Sequence, residues 1–268
     1  GKHVVLVTKT REIKRGNTPN AQGGIVYKGL NDSPENLKKD ILEAGAGHCW
    51  EPAVNQLCEK GPTLVEDFLI KRLRVDFDQI SNGVDNLNRT SEAAHSDARI
   101  IHSKDRTGSA IHDAIICAIE VNPNITLIKN HTVNDILTLS HHSSLSKDIY
   151  KKPACFGAMV INNETCDIFP IYAKRTIFAT GGLGQIYLHS SNPVESTGDG
   201  IAMAWRAGAR CFNLQYIQFH PTTLFHERDR FLISESVRGE GGKLIDVNGN
   251  EFMTNFDQRA ALAPRDIV

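Results

Sequence analysis

An apolar, β-branched run stops abruptly at paired glycines in Arg175-Thr-Ile-Phe-Ala-Thr-Gly-Gly182. Such a run reads as a buried strand, and the glycines put backbone without side chains at its carboxyl end. In open α/β sheets ligands bind at that end of the strands, where backbone has to come close to them. A second run, His3-Val-Val-Leu-Val-Thr-Lys9, has the same buried, parallel-strand character and ends in a charged residue. A strand of this kind usually follows the first βα unit of a dinucleotide-binding domain, so the sequence is expected to begin after that unit.

Between these two runs the periodicity is mostly helical. Arg15 to Gly24 is a polar, glycine-rich loop. Ser33 reads as a helix cap with Pro34 at the first helical position, and helical spacing runs to about Leu42 and again from Glu51 to about Arg72. Gln79 to Lys104 is polar and irregular. Asp105-Arg-Thr-Gly108 opens a helix over Ser109 to Glu120. Strands are then expected at 125–128 and 132–139, followed by a hairpin or meander in which 155–161 and 167–172 flank the turn formers Asn162-Asn-Glu-Thr. A last helix covers Gly200 to Ala209. The texture changes after Arg210, which places a domain boundary near Asn213: 1–213 as an incomplete dinucleotide-binding domain, and 214–268 as an incomplete second domain.

Composition narrows the function classes. A formal net charge of -1 over 268 residues gives no electrostatic reason to expect nucleic acid or an anionic membrane as partner. The longest apolar runs, such as Ala114 to Ile119, fall well short of the roughly 20 residues that span a bilayer. No cationic, apolar leader opens the sequence, and the expected setting is cytoplasmic. The six cysteines stand singly and are expected as reduced thiols. With no clustered ligands, no metal site is expected.

Four segments carry chemistry. The loop Asn17 to Gly24 offers backbone donors and the Gln22 amide, a set suited to the nitrogens and carbonyls of a polar heterocycle. Ser196-Thr-Gly-Asp-Gly200 places Asp199 in a small-residue turn, where it either accepts hydroxyl hydrogen bonds or caps the next helix. Gln218-Phe-His-Pro-Thr-Thr-Leu224 sets His220 before a proline, hence in extended backbone. Ser234-Glu-Ser-Val-Arg-Gly-Glu-Gly-Gly242 and Leu262-Ala-Pro-Arg-Asp-Ile-Val268 add hydroxyl, carboxylate and guanidinium groups of the kind that clamp a dicarboxylate.

Taken together, Asn-Ala-Gln-Gly-Gly-Ile25, Ala-Thr-Gly-Gly182, Gly-Asp-Gly-Ile-Ala-Met-Ala-Trp-Arg-Ala-Gly208, Gln-Phe-His-Pro-Thr222, Arg-Gly-Glu-Gly-Gly242 and Ala-Pro-Arg-Asp-Ile-Val268 resemble the succinate dehydrogenase, fumarate reductase and aspartate oxidase flavoproteins. The resemblance implies an α/β fold: a partial Rossmann-like FAD-binding domain with a β-meander, and the start of an α+β capping domain. Asn17 stands where membrane-bound members carry the histidine that attaches FAD, so the cofactor is expected to be non-covalent. Glu92-Ala-Ala-His-Ser96 resembles the Glu-Gly-Gly-His-Ser segment of the aspartate oxidase branch, with two alanines for two glycines. Ala44-Gly-Ala-Gly47 also resembles that branch.

By this resemblance Lys9, Asn17, Thr18, Ala21, Gln22, Gly23 and Gly24 contact FAD, with His131, Thr132, Thr180, Gly181, Gly182 and Asp199. His220 and Ser234 contact the substrate carboxylates, Ser234 standing where the family often has threonine, and Thr222 and Glu235 belong to the same substrate-binding set. Arg265 corresponds to the active-site arginine that donates a proton in fumarate reduction, and Glu92 faces the substrate ammonium. The implied reaction oxidises L-aspartate to iminoaspartate, with oxygen or fumarate as acceptor and a functional link to quinolinate synthase on the route to NAD. Two other readings stay open: a soluble fumarate reductase with non-covalent FAD, which Glu92 discriminates, and a non-catalytic flavoprotein-like fragment.

Overall fold

The β-branched run near the start of the sequence forms strand β1 (Val4–Val7), as expected, although Val4 and Val5 are 49% and 37% exposed. Strand β2 (Ile25–Val26), helices α1 (Pro34–Ala44) and α2 (Glu51–Leu64), strands β3 (Arg89–Thr90) and β4 (Ile100–Ile101), helix α3 (Thr107–Glu120) and strand β5 (Ile125–Ile128) follow. The computed structural model describes residues 1–80, 86–91, 95–226, 229–239, 241–263, 265 and 267–268. They divide into two compact units, 1–4 with 13–126 and 5–12 with 127–268. β1 pairs with β5. Val4 N–H donates to Asn124 O (2.8 Å) and Thr8 N–H to Ile128 O (2.9 Å), partners that advance together, so the pair is parallel.

In the first unit, Ser33 caps α1 as its sequence position implies: the Ser33 hydroxyl accepts the Asn36 N–H at 3.2 Å, and Pro34 fills the first helical position. α2 continues past Pro62 into a π-helical stretch, Val65–Arg72. Proline lacks the N–H that an α-helical ladder needs, so the widened turns follow where that ladder is interrupted. Leu37, Val54 and Cys58 are buried together between α1 and α2. Tyr27, Val65, Leu69, Phe77, Leu87 and Ile101 form a second apolar cluster. The irregular character expected for 79–104 needs correction, because β3 and β4 lie in it. They pair antiparallel, and β4 also pairs antiparallel with β2. Two-residue strands are too short to show an alternating pattern in sequence.

The segment that leads into β4 carries a buried charge. Arg99 has 0% side-chain exposure and grips Asp32, 4% exposed, with two hydrogen bonds: Nε to Oδ2 at 2.6 Å and Nη2 to Oδ1 at 2.8 Å. Its Nη1 donates to Asp40 of α1. This bidentate geometry, with every charge answered, is what makes burial of a guanidinium tolerable. The Arg99 hydrogen bond, then the Ser96 backbone N–H, lowers the Asp40 pKa to about 2. Burial pushes the Asp32 carboxyl up, but Arg99 and the Ser33 and Gly29 N–H groups outweigh it and hold it below the usual range.

The second unit contains β6 (His131–Thr138), α4 (Leu139–His142), β7 (Cys155–Asn162), β8 (Ile168–Tyr172), α5 (Asp199–Arg206), β9 (Thr223–His226), β10 (Asp229–Leu232) and α6 (Ser236–Gly239). β6, β7 and β8 form the expected antiparallel meander. Asn162 Oδ1 accepts the Glu164 N–H (2.8 Å) and so closes the turn between β7 and β8. Val160, Leu137 and Met203 are buried in this unit. One expectation fails. Residues 175–182 form no strand, and Ile177 is 88% exposed. Their β-branched composition favours a packed, pleated surface, and among the described residues no strand pairs with them. All six cysteines are unpaired thiols. Among the described residues no helix is long and apolar enough to cross a membrane.

The Arg99 cluster makes stability acid-sensitive. Both aspartates are lowered in the fold, so their contribution is complete above the unfolded value of about 4 and is lost as pH falls below it, for Asp40 down to about 2. Urea unfolding followed by circular dichroism is expected to show a midpoint that drops across this window, and Asp40→Asn is expected to flatten the drop.

Candidate functional site

In the first unit, the glycine-rich loop is shaped by a single 3-10 turn, Thr18–Asn20, closed by Asn20 N–H to Asn17 O at 3.0 Å. Ala21, Gln22 and Gly23 continue the loop, and Gly24 packs directly against Ile100 and Ile101. The amino end of α3 docks onto it. Gly108 N–H donates to Ala21 O at 3.0 Å, and a Cβ on Gly108 would collide with Thr18 O and the Ala21 side chain. Thr107 is buried beside it, its hydroxyl accepting the Ser103 N–H at 2.9 Å. Glu92 lies outside the described residues.

The second unit gathers a different set. Lys9 follows β1, and its ammonium donates to Asp199 Oδ2 (2.6 Å) and Thr197 Oγ1 (2.9 Å). The Lys9 hydrogen bond holds the Asp199 carboxyl below its usual range, against the opposing effect of burial. Asp199 is not the helix cap. Gly198 takes that position in a left-handed conformation (φ 79°), and Asp199 is the first helical residue of α5, where a negative charge also suits the helix dipole. Thr180 sits against Gly200, closely enough that a Cβ there would strike the Thr180 side chain. Gly182 O accepts the Gly198 N–H at 3.1 Å, while a Cβ on Gly181 or Gly182 would meet nothing within 4 Å. This open backbone beside an ion-paired carboxylate suits the hydroxyls and phosphates of a dinucleotide.

His131 and Thr132 serve the meander. His131 Nδ1 lies 2.6 Å from Lys129 O, and Thr132 Oγ1 donates to Asn163 Oδ1 at 2.8 Å. The Asn163 amide in turn donates to Lys9 O at 3.1 Å, so the β7–β8 turn braces the residue that carries the ammonium. Asn163 was invisible as a site residue in sequence, where it is one turn former among several.

A third set joins α6 to the last residues of the chain. Arg265 grips Glu235 through Nε to Oε1 (2.9 Å) and Nη2 to Oε2 (2.8 Å). Buried Arg238 donates to the same Oε1 at 2.8 Å and to Ala261 O at 2.9 Å. The Arg265 hydrogen bond holds Glu235 below its usual range. His220 feels Arg265, Glu235 and Arg238, and burial above all pushes its pKa down, so the imidazole is neutral around neutral pH. His220 Nδ1 lies 2.8 Å from Thr222 O and 3.3 Å from the Thr222 backbone nitrogen, so the Thr222 backbone holds the ring at that nitrogen. Thr222 Oγ1 donates to Ile233 O at 3.2 Å, beside Ser234. The structure thus brings His220, Thr222, Glu235 and Arg265 into one network. It adds Arg238, a residue already present in the Arg-Gly-Glu-Gly-Gly motif but not singled out there.

A family model described as an FAD binding domain matches residues 1–268. The sequence is 42% identical to L-aspartate oxidase 1 of Ralstonia nicotianae, over 100% of this chain and 49% of that protein. It is 38% identical to L-aspartate oxidase of Pseudomonas aeruginosa, over 98% of this chain and 49% of that protein. The chain therefore spans about half the length of these curated relatives. In three dimensions it superposes on a chain of a quinol–fumarate reductase with menaquinol molecules at a TM-score of 0.84. That match has 24% identity and covers 99% of this chain and 45% of the other, a likeness of fold.

Gly200 provides a direct test of the Thr180 approach. Overpacking costs about 1–3 kcal/mol of folding stability. Gly200→Ala in the intact protein is expected to lower stability by that amount, measured by urea unfolding followed by circular dichroism.

Proposed function

The chain belongs to the FAD binding domain family, and on that premise we propose that the intact protein oxidises L-aspartate to iminoaspartate with a non-covalently held FAD. The single observation that carries this reading is the network of Arg265, Glu235, Arg238 and His220. Two guanidiniums, one carboxylate and a neutral imidazole leave one net positive charge for a ligand with two carboxylates. The resemblance to two L-aspartate oxidases supports the choice of substrate. Oxygen or fumarate is proposed as acceptor. A functional link to quinolinate synthase and a cytoplasmic setting belong to the same proposal.

FAD, once bound, supplies the two-electron redox chemistry. The chain orients the substrate and handles its charges. His220, Thr222 and Ser234 are proposed to hold the carboxylates. The Thr222 backbone holds His220 at Nδ1, which leaves Nε2 as the ring nitrogen for a carboxylate. Arg265, braced bidentately by Glu235, is proposed as the proton donor to carbon when fumarate is reduced, and Arg238 fixes Glu235 from the other side. For FAD we propose Lys9, Asp199, Thr180, Gly181, Gly182, His131 and Thr132 in the second unit, and Asn17 to Gly24 in the first. Residues 214–268 are proposed as the start of a capping domain.

Two outcomes check this reading. Asn17 offers no nucleophile for attachment, so acid precipitation of the intact flavoprotein is expected to leave yellow flavin in the supernatant, and flavin in the pellet contradicts non-covalent binding. Glu92 is proposed to pair the substrate ammonium. A hydrogen bond to a charged group contributes about 1.5–3 kcal/mol, so Glu92→Gln is expected to lower kcat/KM for aspartate by roughly ten- to a hundredfold. Fumarate reduction, with no ammonium involved, is expected to hold within about twofold, a difference of only about 0.4 kcal/mol. Equal loss in both assays sinks the assignment.

A further inference from the structure

We infer that Asn163, in the turn between β7 and β8, is a positioning residue for the ammonium of Lys9; this rests on the proposed contact of Lys9 with FAD. The segment that follows β1 lies against the residues that open β6. Thr8 O accepts the His131 N–H at 3.0 Å, and Thr10 O accepts the Asn130 N–H at 2.8 Å. The carbonyl between them is taken by a side chain instead: Asn163 Nδ2 donates to Lys9 O at 3.1 Å. A carbonyl can only accept, so the amide turns its NH2 end to Lys9 and its oxygen to Thr132, whose hydroxyl donates to it at 2.8 Å. The Asn163 backbone N–H donates to Asn130 O at 3.1 Å. The turn that presents this residue is itself fixed. Asn162 Oδ1 accepts the N–H groups of Glu164 (2.8 Å) and Thr165 (3.3 Å), and the Thr165 hydroxyl donates to Asp167 Oδ2 at 2.6 Å.

The far end of the same lysine is held by a second set of groups. Lys9 Nζ donates to Asp199 Oδ2 (2.6 Å), Thr197 Oγ1 (2.9 Å) and Glu195 O (3.4 Å). Side-chain exposures of 34% for Lys9 and 42% for Asp199 leave the pair open to a ligand. A four-carbon stem joins the lysine backbone to its ammonium, and a flexible stem has a fixed charge only where both ends are held. Asp199 and Thr197 hold one end, Asn163 the other. Where the backbone end is released, the entropy of ordering the side chain falls on the binding step that needs it. A residue that served only to close the β7–β8 turn would affect stability and leave the affinity of the folded protein for its cofactor as it was.

The test measures the Kd for FAD of the intact protein by flavin fluorescence, with urea unfolding as a separate readout of stability. Asn163→Ala is expected to raise Kd about fivefold, the scale of one hydrogen bond. Asn163→Asp keeps the size of the side chain and the acceptor for Thr132 but removes the donor to Lys9. It is expected to raise Kd about as much, and it decides the matter alone if Asn163→Ala does not fold. Lys9→Met, which removes the ammonium, is expected to raise Kd as well, and neither Asn163 change is expected to raise it further in that background. An unchanged Kd in the Asn163 variants beside a Lys9→Met variant that does change it, or the same rise in both backgrounds, overturns the bracing role and leaves Lys9 as a cofactor contact. An unchanged Kd in Lys9→Met overturns that contact, and with it any action of Asn163 through Lys9.

Discussion

A guanidinium with no exposed surface has to be answered by charge wherever it lies, and Arg99 is answered from three directions. Asp32 comes from the loop before α1, Asp40 from the helix itself, and Ser96 and His95 from the segment leading into β4. The backbone takes part too, since Arg99 O accepts the Tyr27 N–H at 2.8 Å beyond β2. Removing one partner from such an assembly leaves a buried charge at a cost of about 3–5 kcal/mol, comparable with much of a domain's net stability. The sheet of β2, β4 and β3, the α1–α2 pair and the loop ahead of Arg99 are thus mutually dependent through one side chain.

The second unit is organised by polar bracing around a meander. Asn163 reaches from the β7–β8 turn to Lys9 O and Thr132, while Lys9 reaches to Asp199 and Thr197. Backbone close approach does the rest. Thr180 can lie against Gly200 because no Cβ intervenes, as Thr18 and Ala21 can lie against Gly108 in the first unit. These contacts explain why small residues recur in motifs that composition alone would leave as turns.

Much of this was legible in sequence because it is local. The cap at Ser33, the helices, the β6–β7–β8 meander and the turn at Asn162 are written in neighbouring residues. The exposed run 175–182 was misread, since apolar β-branched composition reports a preference for packing and not the presence of a partner. Asp199 was half legible: an acid at a helix start was clear, but Gly198 holds the cap and Lys9, 190 residues away, holds the carboxylate. Glu235 and Arg265 were each singled out, but their bidentate pairing across 30 residues has no sequence signature. The Arg99 assembly was illegible for the same reason. Asp32, Asp40 and Arg99 read as ordinary charges until the fold brings them together.

The charge arithmetic of the proposed reaction divides labour between two parts of the sequence. Aspartate and fumarate both present two carboxylates, so on the proposed assignment His220, Arg238, Glu235 and Arg265 meet the same anionic pattern in either ligand. However well they are arranged, such groups bind the two alike on this count, and affinity for a shared feature contributes nothing to selectivity. Selection has to come from a group that meets the ammonium. A neutral amide or hydroxyl there would accept a hydrogen bond without answering the charge, whereas a carboxylate both accepts and neutralises, and loses that advantage when the ammonium is missing. On the reading proposed for Glu92, catalytic competence and substrate choice are therefore separable by mutation.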